Sequence, residues 1–382
     1  MPRPSPPTLT WSAVALARAI RTQQTTAQAV VEAHIDRVKQ VNPIINAVVH
    51  ARFTQALEEA READAQVAQA VADKTVGELP PLLGVPCTIK ECFGLEGMPQ
   101  TSGLVSRRGV FAERDATAVR RLRDAGAIPL GVTNISELCM WMESHNRVYG
   151  RTRNPYDPSR IVGGSSGGEG AIVASGASPF GLGSDIGGSI RMPAFFNGVF
   201  GHKPTGGMVP STGQWPIPPD SEPLRCLGTG PLARCAEDLM PLLRLMAGPD
   251  GEDASTQPWS LGDPNAVSVE GMTVISVEGN GFRPVARDLL QAQRRVARML
   301  AQRGARVVHM QFEPLKQSLQ MWAAMMNDAQ GPKFRVLLGG GTPARLRRNF
   351  ARYLVRRSEH TLPALVLAAL EEMPFLVLKE KE

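Results

Sequence analysis

The 382-residue sequence predicts an α/β protein whose sheet is covered by helices on both faces. Short apolar runs ending at turn residues alternate with segments of helical periodicity. Toward the C-terminal third, a strand, a helix and a second strand follow one another at the spacing of a β-α-β unit, whose crossover is expected to be right-handed. Between these regions, residues 163–188 are dense in glycine yet threaded with apolar side chains.

Taken in order, the elements justify that class. Val31, Ile35 and Val38 recur at helical spacing within 27–40, with His34 on the same side. That placement makes His34 a helix-packing residue rather than a ligand. Residues 53–72 are rich in Ala and Glu and predict a second helix, stopped by Gly77 and the Pro80-Pro81 pair. Residues 84–90 read as a short buried strand ending on Lys90. Residues 116–125 predict a helix closed by Gly126, followed by an apolar strand at 127–132. The β-α-β unit falls at 272–277, 285–302 (closed by Gly304) and 305–310, and the polar stretch 249–264 reads as a surface loop. No repeat or linker forces a boundary. One domain over 1–382 is therefore expected, with a functional core at about 84–205.

Composition excludes several classes. The chain is 43% hydrophobic and 20% charged, as ordinary soluble proteins are. Its net charge is +6, but the arginines are dispersed and no aromatic-interleaved basic motif accompanies them, so nucleic-acid binding is not expected. Cys87, Cys92, Cys139, Cys226 and Cys235 are odd in number and form no CxxC pair, which argues against a disulfide framework or a zinc site. A reducing, cytoplasmic setting fits them. Residues 1–10 are Pro-rich without a signal-peptide core, and 11–21 are too short to span a bilayer. No cofactor and no metal is called for.

The chemistry concentrates in Gly163-Gly164-Ser165-Ser166-Gly167-Gly168-Glu169-Gly170 and, further on, Ser184-Asp185-Ile186-Gly187-Gly188-Ser189-Ile190-Arg191. A phosphate loop requires a lysine where Glu169 stands. A flexible linker has no reason to carry Ile172, Val173, Phe180, Leu182, Ile186 and Ile190. The remaining reading is a catalytic loop whose backbone approaches a ligand closely. Amide hydrolysis needs an activated hydroxyl, a proton acceptor and donors for the tetrahedral oxyanion. Ile186, Gly187, Gly188 and Ser189 supply consecutive N–H groups beside a serine. Of the six histidines, none lies in a motif that would make it the base, and the Gly-x-Ser-x-Gly match around Ser165 is weak in so glycine-rich a run. A lysine at a buried strand end can serve instead, because burial disfavours the charged form of an amine. Lys90, preceded by Val85, Cys87 and Ile89, has that setting.

These strings, with Asn134-Ile135-Ser136-Glu137-Leu138-Cys139-Met140-Trp141, His145-Asn146, Asn154-Pro155-Tyr156-Asp157 and Gly201-His202-Lys203-Pro204-Thr205, resemble the amidase signature family. The pattern is most similar to its fatty-acid amide hydrolase branch, particularly the second type, over about 10–375. The resemblance implies a mixed, twisted sheet and a Ser-Ser-Lys triad: Ser189 as nucleophile, Ser165 as a relay held by a cis peptide, and Lys90 as base. Ser166 is a secondary candidate for the relay. It implies Ile186, Gly187, Gly188 and Ser189 as the oxyanion hole, and Asp185 with Arg191 holding the loop.

Met140, Trp141, Met142, Phe195 and Phe196 cluster around the site, and the resemblance suggests an acyl pocket. Met140, Phe195 and Ser165 are the residues expected to touch a small-molecule amide with a hydrophobic acyl group. Met321–Met326, with Trp322, read either as a lipid-facing group or as core. The arginines at 345, 347, 348, 352, 356 and 357 interleave with Leu346, Phe350 and Leu354. They predict a solvated helical face, with contact to an anionic membrane surface as the alternative. A homodimer is compatible with all of this. Two other functions compete: the glutamine-hydrolysing amidase component of a tRNA amidotransferase, and a non-catalytic remnant. The second arises because family members continue further, so a truncated C-terminal part, completing the sheet and one pocket wall, is expected to be missing.

Overall fold

The computed structural model describes residues 7–217, 225–328 and 333–371. The chain divides into two compact units, Met1–Trp259 with Gln330–Glu372, and Ser260–Ala329 with Met373–Glu382. The second begins inside the polar stretch 249–264, where the sequence carries a loop signal but no linker signal.

The first unit opens with α1 (Ala13–Arg21), α2 (Ala27–Ile45), β1 (Val48–Ala51) and α3 (Phe53–Asp73). The donors left unpaired at the helix N-termini are met by carboxylates distant in sequence. Asp238 accepts from the N–H groups of Ala13 and Val14, and Asp64 on α3 accepts from those of Ala27 and Gln28. Helix α2 runs past the expected 27–40 and through Pro43, ending at Asn46 in the left-handed conformation. His34 is fully buried, with Nδ1 against the Val30 carbonyl at 2.8 Å, as expected of a packing residue. Burial lowers its pKa to about 4.

Next come β2 (Pro86–Lys90), α4 (Thr117–Asp124), β3 (Ile128–Thr133), the short β4 (His145–Asn146) and β5 (Gly150–Arg151), α5 (Gly167–Ala174), β6 (Phe180–Asp185), α6 (Arg191–Asn197), β7 (Phe200–Gly201), β8 (Gly228–Ala233) and α7 (Leu239–Met246). The main sheet has the order β1-β3-β2-β6-β8-β7. Strands β3, β2 and β6 run parallel, whereas β1, β8 and β7 join antiparallel, so the sheet is mixed. Every residue of β2, β3, β6 and β8 is buried. Successive side chains point to opposite faces, so both faces of the sheet are covered.

Helix α5 occupies the stretch where the sequence loses periodicity. Residues 167–173 are all buried, so no polar face exists to create a period. Its glycines serve close packing. A methyl group on Gly168 would meet the Asn134 backbone N at 2.5 Å and Thr133 Cβ at 2.9 Å, and one on Gly170 would meet the Asn197 side chain at 2.7 Å.

In the second unit, β9 (Thr273–Ser276) and β10 (Arg306–His309) pair in parallel around α8 (Arg287–Gln302), followed by α9 (Ser318–Asp328). Met321 and Met325 on α9 are exposed. The first unit resumes with α10 (Phe334–Leu338), α11 (Leu346–Leu354) and α12 (Leu362–Leu370). There Leu338, Ala364, Leu365 and Ala368 bury against Leu104 and Leu138.

Gly168→Ala should lower stability by about 1–3 kcal/mol, because the new methyl meets backbone rather than a movable side-chain end. Urea denaturation of the two proteins measures this.

Candidate active site

The parallel strands β3, β2 and β6 bring their carboxyl ends to one edge of the sheet, where ligands of such sheets bind. Lys90 closes β2 opposite Thr133, the last residue of β3, and Asp185 closes β6. Lys90 has no exposed surface. Its Nζ lies 2.7 Å from Ser165 Oγ, 3.0 Å from Ser184 Oγ and 3.3 Å from the Ser184 carbonyl oxygen. The amine nitrogen thus lies within hydrogen-bond reach of three oxygens, as a buried lysine requires. Gln214 Nε2 donates to Ser184 Oγ at 3.2 Å and fixes that hydroxyl in turn.

Of the two adjacent serines, Lys90 reaches Ser165. The Ser166 hydroxyl turns instead to the Ser184 carbonyl at 3.4 Å. The Gly164–Ser165 peptide bond is cis, the geometry the resemblance implies for this serine. Ser144 Oγ braces the turn, donating to the Ser165 carbonyl at 3.1 Å and accepting from Gly167 N at 2.8 Å. Ser189, at 9% exposure, joins through its backbone: its carbonyl accepts from Ser166 N at 3.2 Å. Lys90, Ser165 and Ser189 therefore share one neighbourhood, with the side-chain link running from Lys90 to Ser165.

Asp185 organises the loop between them. Its Oδ1 accepts from Gly188 N at 2.7 Å and Arg191 Nη2 at 2.8 Å; its Oδ2 accepts from Arg191 Nε at 2.9 Å, Ile190 N at 3.0 Å and Arg191 N at 3.1 Å. Burial opposes the charge, but these donors outweigh it and hold the carboxyl at about 2. Within the run Ile186, Gly187, Gly188 and Ser189, expected to meet an oxyanion, the Gly188 N–H points at Asp185 Oδ1. Gly188 sits at φ 121°, a conformation glycine supplies readily.

The apolar residues flank the turn. A methyl group on Gly163 would meet Pro193 N at 2.8 Å and the Phe196 ring at 2.9 Å; one on Gly164 would meet the backbone of residues 141–143. Met140, Met142, Phe195 and Phe196 are exposed rather than part of the core. The Phe195 and Phe196 ring centroids lie 5.6 Å apart.

Several polar residues here escape sequence reasoning. Glu91, next to Lys90, is buried and accepts from Thr101 N, Thr101 Oγ1, Ser102 N and the Tyr149 hydroxyl at 2.6–2.9 Å. Burial pushes it to about 7 despite those donors. His360, which stands in no motif, pairs through Nδ1 with Glu137 Oε1 at 2.8 Å, while Thr361 N donates to Oε2. The Ser136-Glu137-Leu138 string was the only signal for that contact. Interaction with Cys92, aided by the nearby Lys90 charge and by Ser165, holds the Cys139 thiol below the usual thiol range against the opposing effect of burial. In the second unit, an open cavity of about 720 Å³ is lined by Glu278, Arg283, His309, Phe312 and Lys316 among others, and by none of the expected site residues.

The covered mixed sheet thus carries a buried lysine–serine contact at its carboxyl edge, a candidate active site. Residues 29–376 match the Amidase family. Fatty-acid amide hydrolase 2-A of Danio rerio is 46% identical over 377 residues, covering 96% of this chain and 69% of the relative. Fatty-acid amide hydrolase 2 of Homo sapiens is 45% identical over 384 residues, covering 97% and 71%. Among solved structures, peptide amidase from Stenotrophomonas maltophilia superposes with a TM-score of 0.76 at 26% identity, covering 95% of this chain and 76% of that one. The chain belongs to the amidase family and is a hydrolase of amide C–N bonds.

Because the folded-state value of Asp185, about 2, lies below its ordinary 3.8, its stabilisation is present above pH 3.8 and is lost as pH falls through 2. Asp185→Asn should remove about 2 kcal/mol of acid-dependent stability in that window. Denaturant titrations between pH 5 and 2 on both proteins check this.

Proposed function

We propose that this chain hydrolyses a hydrophobic acyl amide through a covalent acyl-enzyme, with Ser189 as nucleophile, Ser165 as relay and Lys90 as base. The observation that carries the reading is the 2.7 Å contact between a fully buried lysine and the Ser165 hydroxyl, one residue from the backbone link to Ser189. Ser189 Oγ attacks the substrate carbonyl while its proton passes to Ser165, and the Ser165 proton passes to neutral Lys90. The tetrahedral oxyanion is met by N–H groups of the run Ile186, Gly187, Gly188 and Ser189, with that of Gly188 turning from Asp185 to reach it. Collapse breaks the C–N bond, and the proton returns from Lys90 through Ser165 to the departing amine. Water then attacks the acyl ester by the same route, releasing the acid and restoring Ser189.

The relatives' names supply the substrate class, fatty-acid amides. The exposed Met140, Met142, Phe195 and Phe196 beside the turn are suited to an acyl chain. A glutamine-directed reading rests on a glutamyl-tRNA(Gln) amidotransferase component of Acidothermus cellulolyticus, 37% identical over 303 residues, 78% of this chain and 57% of the relative. Apolar side chains at the site disfavour that substrate. Helix α11 we read as a solvated face, with Arg352 paired to Glu359 at 3.7 Å. The free cysteines suit a reducing, cytoplasmic setting.

A fluorophosphonate probe should label wild type and fail to label Ser189→Ala. Lys90→Ala should lower kcat/KM by roughly 10³ or more, since members of such a set act as a unit. Glutamine and long-chain acyl amides assayed side by side decide the substrate class; turnover of glutamine alone would sink the acyl-amide reading.

A further inference from the structure

Glu169 is a fully buried carboxyl outside the mechanism just described. It stands in the first turn of α5, four residues after Ser165, and reaches back into the sheet. Its Oε2 accepts from Thr88 Oγ1 on β2 at 2.5 Å, and its Oε1 accepts from Thr133 Oγ1 on β3 at 2.7 Å. Thr88 lies two residues before Lys90, and Thr133 is the register partner of Lys90. On the third strand, β6, Gly181 leaves the space the carboxyl fills: a methyl group there would overlap Glu169 Oε2. One side chain thus joins the helix that follows the relay serine to all three parallel strands, at the level where the base emerges.

We infer that Glu169 is a positioning residue for Lys90, fixing the strand end that presents the amine and coupling its own charge to that of the lysine. The inference rests on the proposed roles of Lys90 and Ser189. The charged and titratable groups facing the carboxyl are few. Lys90 acts on it from β2, and Cys87, fully buried on the same strand, feels its charge. From β3 and β6 come the Thr133 hydroxyl and the side-chain-free Gly181. Burial raises Glu169 to about 8, against the pull of the two threonines and of Lys90. Below that value the carboxyl is neutral and above it charged, so its interaction with the charge on Lys90 changes through that range. A residue that only packed the helix would have no such effect.

The experiment is the pH profile of kcat/KM for wild type, Glu169→Gln, Thr133→Val and Ser189→Ala with one acyl amide. Glutamine keeps the shape and removes the ionisable group, so the change in rate that accompanies ionisation of the carboxyl near pH 8 should be lost. Thr133→Val removes one donor that favours the carboxylate and should move that change to higher pH. This variant also carries the test if Glu169→Gln fails to fold. A uniform loss of rate with an unaltered profile in the folded variants would overturn the inference and leave Glu169 a packing residue. Retained turnover in Ser189→Ala would instead bring down the mechanism on which it rests, and the inference with it.

Discussion

The site depends on one interaction: a lysine with no exposed surface held at a strand end by three oxygens, one of them the hydroxyl of Ser165. Burying an ammonium group is costly unless its donors are met, so each partner must be held in place by something else. Ser184 is held by Gln214 and by the ladder between β6 and β8. Ser165 is held by the brace from Ser144 and by the start of α5. Position along β2 is set by its parallel pairing with β3 and β6. A register slip of one residue would turn Lys90 to the other face of the sheet and break all three contacts.

Much of this was legible in the sequence, for a physical reason. Strands that end in a charge and helices with one apolar stripe leave periodic traces, so α3, α4, β2 and β3 fall within a residue or two of their expected bounds. The β-α-β unit appears as a parallel pair around its helix, likewise as read. Ser165 and Ser189 stood out in glycine-rich strings threaded with apolar residues, and Lys90 as a lysine ending an apolar strand; the family resemblance joined the three. The oxyanion donors were read as a uniform run of N–H groups. Which of them a neighbouring carboxylate claims is a three-dimensional matter, and Asp185 claims Gly188.

What stayed hidden was buried on every side. Helix α5 has no polar face, so it shows no 3.6-residue period, and its three glycines read as a loop approached closely by a ligand. In the structure Gly167 removes a side chain where α5 meets Ser144 and Val162, Gly168 where it meets Asn134 just after β3, and Gly170 where it meets Asn197 and Pro193 on α6. Glu137 and His360 were invisible for another reason. Their contact spans 223 residues, and neither partner carries a local pattern that names the other.

The carboxyl groups around the site show how one sheet edge sets opposite charge preferences within a few residues. Asp185 and Glu169 are both buried, yet one is held at about 2 and the other raised to about 8. The difference follows the donors. Asp185 collects three backbone N–H groups and a bidentate guanidinium, all of which favour the ionised form. Glu169 receives two threonine hydroxyls, which can also accept a hydrogen bond and so tolerate a neutral acid. Glu91 lies between them at about 7, with two N–H and two hydroxyl donors. Donor type and depth of burial together divide these groups. The loop that carries Ser189 is therefore tied to a fixed negative charge, while the helix that follows Ser165 is tied to a group that can change its charge beside Lys90.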